Sequence, residues 1–167
     1  MCIRDRSQIK AFPHDNHGAA HWSVPDVLFN DRHYENERYL NSLAPGLERQ
    51  VALWCMNNLT TLRDPEHGRA WLVVYYEDLV LDPAKELARI AEAWKFDTSS
   101  LLTEDLRKAS ATDFGKDLKT TPEEQLGKWI PAMDPQMSDR VQAVLDHFGI
   151  TFYSARAATP IHHQPIR

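Results

Sequence analysis

Apolar residues recur every three or four positions in several stretches of the chain, a spacing that places them on one face of an α-helix. The first such stretch covers residues 31–43, and the second, over residues 47–62, has the more regular repeat. The apolar face of the second stretch consists of Leu47, Val51, Cys55, Leu59 and Leu62. We therefore predict two helices here, with the second largely buried.

Two further helices carry start signals in the sequence. Asp82 is followed by Pro83, and Asp134 by Pro135; an aspartate can cap the first backbone amides of a helix, and proline is favoured at the first helical position. Thr121 gives the same signal for a third, shorter helix. The apolar stripes after the two Asp-Pro pairs are Leu87, Ile90, Ala91 and Trp94, and then Met137, Val141, Val144, Leu145 and Phe148.

Residues 71–77 follow a turn-rich segment and are apolar or aromatic at almost every position. A short run that is apolar on both alternations is typical of an interior strand covered on both faces, as in a parallel sheet. Together with the helix that starts at Pro83, this strand would form half of a βαβ unit. The sequence therefore predicts the α/β class, in a chain that is mostly helical with one main strand. Because one strand cannot form a sheet, we expect that an N-terminal portion of the domain is missing.

Composition narrows the class of protein further. The chain has 167 residues, of which 43% are hydrophobic and 26% charged, as expected for one globular domain. Its net charge of −5 and the absence of a basic cluster argue against nucleic-acid binding. Two cysteines cannot build a disulfide framework. No apolar stretch approaches the ~18 residues of a membrane-spanning helix. We expect a cytoplasmic protein, with a membrane anchor in the missing N-terminal portion as the alternative.

The segment VVYYEDLVLDPAKELARIAEAW, residues 73–94, and the later QLGKW, residues 125–129, resemble the C-terminal half of sulfotransferases. The resemblance covers roughly residues 45–153. It implies a P-loop-like parallel-sheet fold and transfer of a sulfuryl group from 3′-phosphoadenosine 5′-phosphosulfate to a hydroxyl or amine. The acceptor would be a small molecule or a carbohydrate, and no metal is expected.

The family's phosphate-binding loop has no counterpart in this sequence, since no GxxxxGK[ST] segment occurs. The catalytic lysine of that loop is therefore absent, the catalytic residues stay unassigned, and we expect the chain to be inactive by itself. We divide it into a non-native leader at residues 1–6, a partial sulfotransferase domain at 7–153 and a flexible tail at 154–167.

The resemblance also assigns the nucleotide-binding residues. Tyr76, and not Tyr75, matches the tyrosine that the family places near the adenine of the donor; a role as a packed aromatic at the end of the strand is the alternative. For Glu77 and Asp78 we expect a structural role, because carboxylates would repel an anionic donor. Residues of a family loop over the adenine correspond to Ser110, Thr112 and Phe114, and lysines that could contact the 3′-phosphate are Lys116, Lys119 and Lys128.

Two other classes of function fit parts of the sequence. A stand-alone helical module could bind a partner by pairing its YEDL strand with the edge of the partner's sheet. His14, His17 and His21 have the spacing of metal ligands on a helix. Pro13 and Gly18 argue against a helix there, so we regard the metal site as the least favoured alternative.

Overall fold

The computed structural model describes residues 21–24, 31–63, 72–95 and 121–163, with the side chains of residues 60 and 62 excepted. Within these ranges the chain is mostly helical, as predicted, and contains no β-strand. The parallel sheet that the sequence suggested is therefore not seen in the described part of the protein.

The first two helices, α1 at Asp31–Ser42 and α2 at Leu47–Arg63, form a hairpin. Gly46 lies in the turn with φ of +110°, a conformation that side-chain-bearing residues rarely adopt. Arg49 is completely buried (0% exposed). Its guanidinium donates to the backbone carbonyls of Leu40 and Leu43 at 3.2 Å each. This arginine therefore satisfies carbonyl groups at the C-terminal end of α1.

Residues 21–24, which precede α1, contact that helix through two of its side chains, Asn41 and His33. The Asn41 amide accepts from the Trp22 backbone N–H at 2.9 Å and donates to the Trp22 carbonyl at 3.1 Å. The Trp22 ring is buried and stacks on His33. Trp22 therefore packs onto the helical body.

The prediction of a β-strand at residues 71–77 is wrong for the part of this range that the structure describes, residues 72–77. Residues 72–75 form no strand, although Tyr75 is extended with φ of −84° and ψ of 124°. Tyr76–Leu81 then forms a short helix, α3. Extended backbone becomes a β-strand only when a neighbour completes its hydrogen bonds. Here the Val73 carbonyl accepts instead from Arg89 at 2.8 Å.

Helix α4, at Pro83–Trp94, begins where the sequence predicts. The Asp82 carboxylate accepts from the backbone N–H of Lys85 at 3.1 Å, and Pro83 occupies the first turn. The Asp82 backbone N–H also donates to the Asp78 carbonyl at 2.9 Å, so this residue ends α3 and starts α4. The remaining helices are α5 at Pro122–Gly127 and α6 at Pro135–His147, with a 3-10 turn at Ile130–Ala132 between them.

The core lies between α2 and α6. Apolar residues of both helices are buried there, and the chain after α6 adds three aromatic rings, those of Phe148, Phe152 and Tyr153. The main members are Val51, Ala52, Cys55, Met56, Val141, Val144, Leu145, Phe152 and Tyr153. Burial raises the pKa of the Cys55 thiol to about 12. The buried residues of α2 confirm the burial expected for that helix. Cys55 is a packing residue, and its thiol stays neutral at physiological pH.

An ion pair links α2 and α6 at the edge of the core. Arg140 on α6 donates through Nε to Oε1 of Glu48 on α2 at 2.7 Å, and the Glu48 side chain is buried. A buried carboxylate is tolerated only when it is paired, so the contact ties the register of α6 to that of α2.

Contacts continue beyond residue 153, where we placed the end of the domain. Ala155 is buried, and its backbone N–H donates to the Gln142 side chain at 3.0 Å. Arg156 pairs with Asp139 on α6. The Ile161 backbone N–H donates to the Phe152 carbonyl at 2.8 Å. The chain from 154 to 163 therefore folds back along α6 toward α3.

Candidate nucleotide-facing site

The start of α3 directs four consecutive polar or aromatic side chains into different surroundings. Each helical residue is rotated by about 100° from the one before it, so neighbours in the sequence do not share a face. Tyr75, which precedes the helix, is buried at 6% exposure and packs against the rings of Phe152 and Tyr153. Tyr76 is only half-buried. Of the two tyrosines, the one matched to the nucleotide is thus the more accessible.

Glu77 points into the protein. Its side chain is 2% exposed and accepts a hydrogen bond from the Tyr153 hydroxyl at 3.1 Å. Burial, followed by the nearby Glu77 carboxylate, raises the pKa of Tyr153 above its ordinary value. Tyr153 therefore stays a neutral donor that stabilises the buried charge, and the arrangement fits a structural role for Glu77.

Asp78 lies on another side of α3, together with Tyr75. Its Oδ2 is 2.8 Å from Nε2 of His163, at the end of the returning chain. The His163 ring also meets the Tyr75 ring edge-on, with centroids 4.6 Å apart. Both carboxylates that follow Tyr76 thus have a side-chain partner within the described part of the protein.

Tyr76 faces helix α5. Its hydroxyl lies 3.5 Å from Nε2 of Gln125, and the Gln125 side chain is also half-buried. A capping box holds α5 in place: Thr121 Oγ1 accepts from the Glu124 backbone N–H at 3.2 Å, and Glu124 Oε2 accepts from the Thr121 backbone N–H at 2.9 Å. The site thus combines a phenol and a primary amide from two separate helices.

Several predicted residues cannot be placed. Ser110, Thr112 and Phe114 lie outside the described residues, as do Lys116, Lys119, His14 and His17. Lys128 directly follows α5 and is exposed, and His21 is exposed before α1. Of the other predicted nucleotide ligands, Lys128 alone lies within the described ranges. In those ranges no group of three or more His, Cys, Asp or Glu residues is arranged to hold a metal ion.

Sequence reasoning missed two members of this region, Gln125 and Tyr153. Gln125 belongs to the QLGKW segment, but a glutamine on the surface of a short helix carries no signal of its own. The predicted domain ends at Tyr153. An aromatic residue with a hydroxyl, following a buried run, was the available signal, because buried tyrosines need a hydrogen-bond partner.

Away from Tyr76, a groove of about 450 Å³ lies between α1, α2 and the C-terminal end of α6. Its polar lining includes two arginines, Arg32 and Arg63, and two acids, Glu35 and Asp146. Arg63 donates to the Phe148 carbonyl at 2.8 Å and thereby satisfies the end of α6. Because charges of both signs line it, this groove creates no field that favours an anionic nucleotide.

Comparison of the chain with models of protein families, with curated proteins and with solved structures found no match. No helix in the described ranges is both long and apolar enough to cross a membrane.

Proposed function

We propose that this chain forms the adenine-side wall of a sulfuryl-transfer site that uses 3′-phosphoadenosine 5′-phosphosulfate as its donor. The proposal rests on the sequence resemblance over residues 73–94 and 125–129. Tyr76 would cover one face of the adenine, while Glu77 and Asp78 hold the start of α3. The acceptor would carry a hydroxyl or an amine, on a small molecule or a carbohydrate.

One observation carries the assignment of Tyr76. Its neighbours Tyr75 and Glu77 are buried in contacts with the core, whereas Tyr76 remains half-buried at the surface next to Gln125. A phenol in this position can stack on a purine and still use its hydroxyl for hydrogen bonding. The carboxylate of Glu77, which would repel an anionic donor, is buried and contacts Tyr153 instead.

The proposal is tested by nucleotide binding. Adenosine 3′,5′-bisphosphate, the product left after sulfuryl transfer, is titrated into the 167-residue chain in a calorimeter. We expect saturable binding with one nucleotide per chain. Removal of the Tyr76 ring should weaken it by about 5- to 150-fold, because stacking of a base on an aromatic side chain contributes ~1–3 kcal/mol.

Two variants serve as controls for the Tyr76→Ala measurement. Tyr76→Phe keeps the ring and should retain most of the affinity, since stacking needs no hydroxyl. Tyr34→Ala removes an equally large ring that is 61% exposed on α1, and should leave binding unchanged. Equal affinity of Tyr76→Ala and the unmodified chain would make Tyr76 a packing residue, and lack of any binding would contradict the proposed function itself.

A further inference from the structure

We propose that Gln125 reads the edge of the base that Tyr76 covers, so that the two residues together select adenine over guanine. This inference rests on the proposed function and adds a specificity-determining residue to it. Nothing in the sequence resemblance assigns a role to Gln125; the assignment comes from its position beside Tyr76.

The geometry brings a flat ring and an amide to one place. The Gln125 Nε2 and the Tyr76 hydroxyl oxygen are 3.5 Å apart, although the two residues are separated by 49 positions in the sequence. Both side chains are half-buried, and so remain accessible to a ligand. A base stacked on the Tyr76 ring would therefore present an edge near the Gln125 amide.

The chemistry of the amide favours adenine. A glutamine side chain offers one carbonyl acceptor and an NH₂ donor side by side, which pairs with the N6 amino group and N7 of adenine. Guanine presents two acceptors, O6 and N7, at the same edge. Only one of them can receive an amide N–H, and the Gln125 carbonyl would then face a second lone pair. Guanine binding should thus lose one hydrogen bond and gain a repulsion.

The position of Gln125 is defined before any ligand arrives. The capping box between Thr121 and Glu124 fixes the first turn of α5, and the Gln125 backbone N–H donates to the Thr121 carbonyl at 2.9 Å. The side chain therefore starts from a fixed backbone, which lowers the entropy lost when it binds.

The test is the ratio of two dissociation constants, that for guanosine 3′,5′-bisphosphate divided by that for adenosine 3′,5′-bisphosphate. Both ligands carry the same phosphates, so the ratio cancels every phosphate contact and every general effect on the fold. For the unmodified chain we expect a preference for adenine of roughly 5- to 150-fold, the discrimination given by one bidentate base contact.

Two substitutions of Gln125 should change the ratio of the two dissociation constants in predictable directions. Gln125→Ala removes both hydrogen-bonding groups and should bring the ratio close to one. Gln125→Arg should reverse it, because a guanidinium donates to O6 and N7 of guanine at once. Glu123→Ala changes an exposed neighbour on the same helix and should leave the ratio unchanged.

The outcomes separate the two claims. If Tyr76→Ala weakens binding while both Gln125 variants keep the original ratio, the role of Gln125 is refuted and the nucleotide site stands. If the unmodified chain binds the two nucleotides equally, base selection by Gln125 is likewise overturned. If neither nucleotide binds, the proposed function fails and this inference fails with it. Circular dichroism of each variant confirms that the ratio is measured on folded protein.

Discussion

At the scale of single residues, the start of α3 shows how one turn of helix divides its side chains among separate tasks. Tyr75 and Glu77 contribute to the interior, Asp78 contacts the returning chain, and Tyr76 stays at the surface. Adjacent tyrosines that look equivalent in the sequence therefore differ in accessibility. Of the two, Tyr76 is the more exposed.

Loss of the Tyr153 hydroxyl should destabilise the protein. Tyr153→Phe removes the donor to the Glu77 carboxylate, which is buried, and we expect the free energy of unfolding to fall by about 1–3 kcal/mol. Urea unfolding measures the change. Tyr34→Phe, at an exposed position, should change it by less than ~0.5 kcal/mol; an equally small effect at Tyr153 would show that Glu77 does not depend on this hydrogen bond.

The hydrogen bond between Tyr153 and Glu77 also predicts that the stability of the folded protein changes with pH in the alkaline range. The folded protein holds the Tyr153 proton to higher pH than the unfolded chain, because burial and Glu77 raise its pKa. This contribution to stability is fully present below about pH 10, the ordinary pKa of tyrosine, and is lost as the pH rises above it. Tyr39 and Cys55 also have raised pKa values and act in the same direction. The unmodified chain should therefore lose more stability than Tyr153→Phe above about pH 10.

A motif of several residues singles out Tyr76 in the sequence, and its role in nucleotide binding stays a prediction. The sequence could not identify the partners of that motif. Gln125 reaches Tyr76 through the packing of α5 on α3, and Tyr153 reaches Glu77 from 76 positions away. Contacts at such separations depend on the tertiary arrangement, and no local pattern encodes them.

At the scale of elements, caps were the most informative signals. The Asp82–Pro83, Thr121–Pro122 and Asp134–Pro135 pairs each start a helix at the predicted residue. A cap acts through hydrogen bonds within about three residues, so the local sequence contains the information. The prediction of a strand at 71–77 was wrong for the opposite reason, because a β-strand forms only beside a second strand, which the local sequence cannot specify. Glu77 and Asp78 instead lie in the first turn of α3, where acidic residues are favourable.

Removal of the Thr121 cap should loosen α5 selectively. Thr121→Ala eliminates the acceptor for the Glu124 backbone N–H, which typically costs about 1 kcal/mol of helix stability. Hydrogen exchange should then be faster at the amides of residues 124–127 than in the unmodified chain. Asp134→Ala is the matched control, because it removes the same type of cap from α6: the Asp134 carboxylate accepts from the Met137 backbone N–H at 2.7 Å. Unchanged exchange in α5 would mean that packing on α3, and not the cap, holds it.

At the scale of the whole molecule, the pairing of α2 with α6 determines stability. The two helices share the buried core, and the Glu48–Arg140 ion pair lies at its edge. Predicted apolar stripes on both helices are confirmed by the burial of Val51, Val141 and Leu145. Helix periodicity thus identified which faces are buried, but it did not reveal that these two faces meet each other.

Truncation of Leu145 should be strongly destabilising. Leu145 is fully buried between the helices, and Leu145→Ala is expected to lower the free energy of unfolding by about 2–5 kcal/mol through lost burial and the cavity left behind. The measurement is the urea midpoint at a constant m-value. Leu81→Ala, at a position that is 38% exposed on α3, should cost much less. Similar costs at the two positions would show that α2 and α6 are not the main core.

The buried thiol of Cys55 can serve as a probe of how often α2 separates from α6. Because the side chain is inaccessible and its pKa is about 12, a thiol reagent can modify it only after α2 has separated from α6. With Cys2 changed to serine, Cys55 would carry the only thiol in the sequence. The rate at which it is labelled would then report how often the helix pair comes apart under native conditions, and whether a bound nucleotide slows that motion.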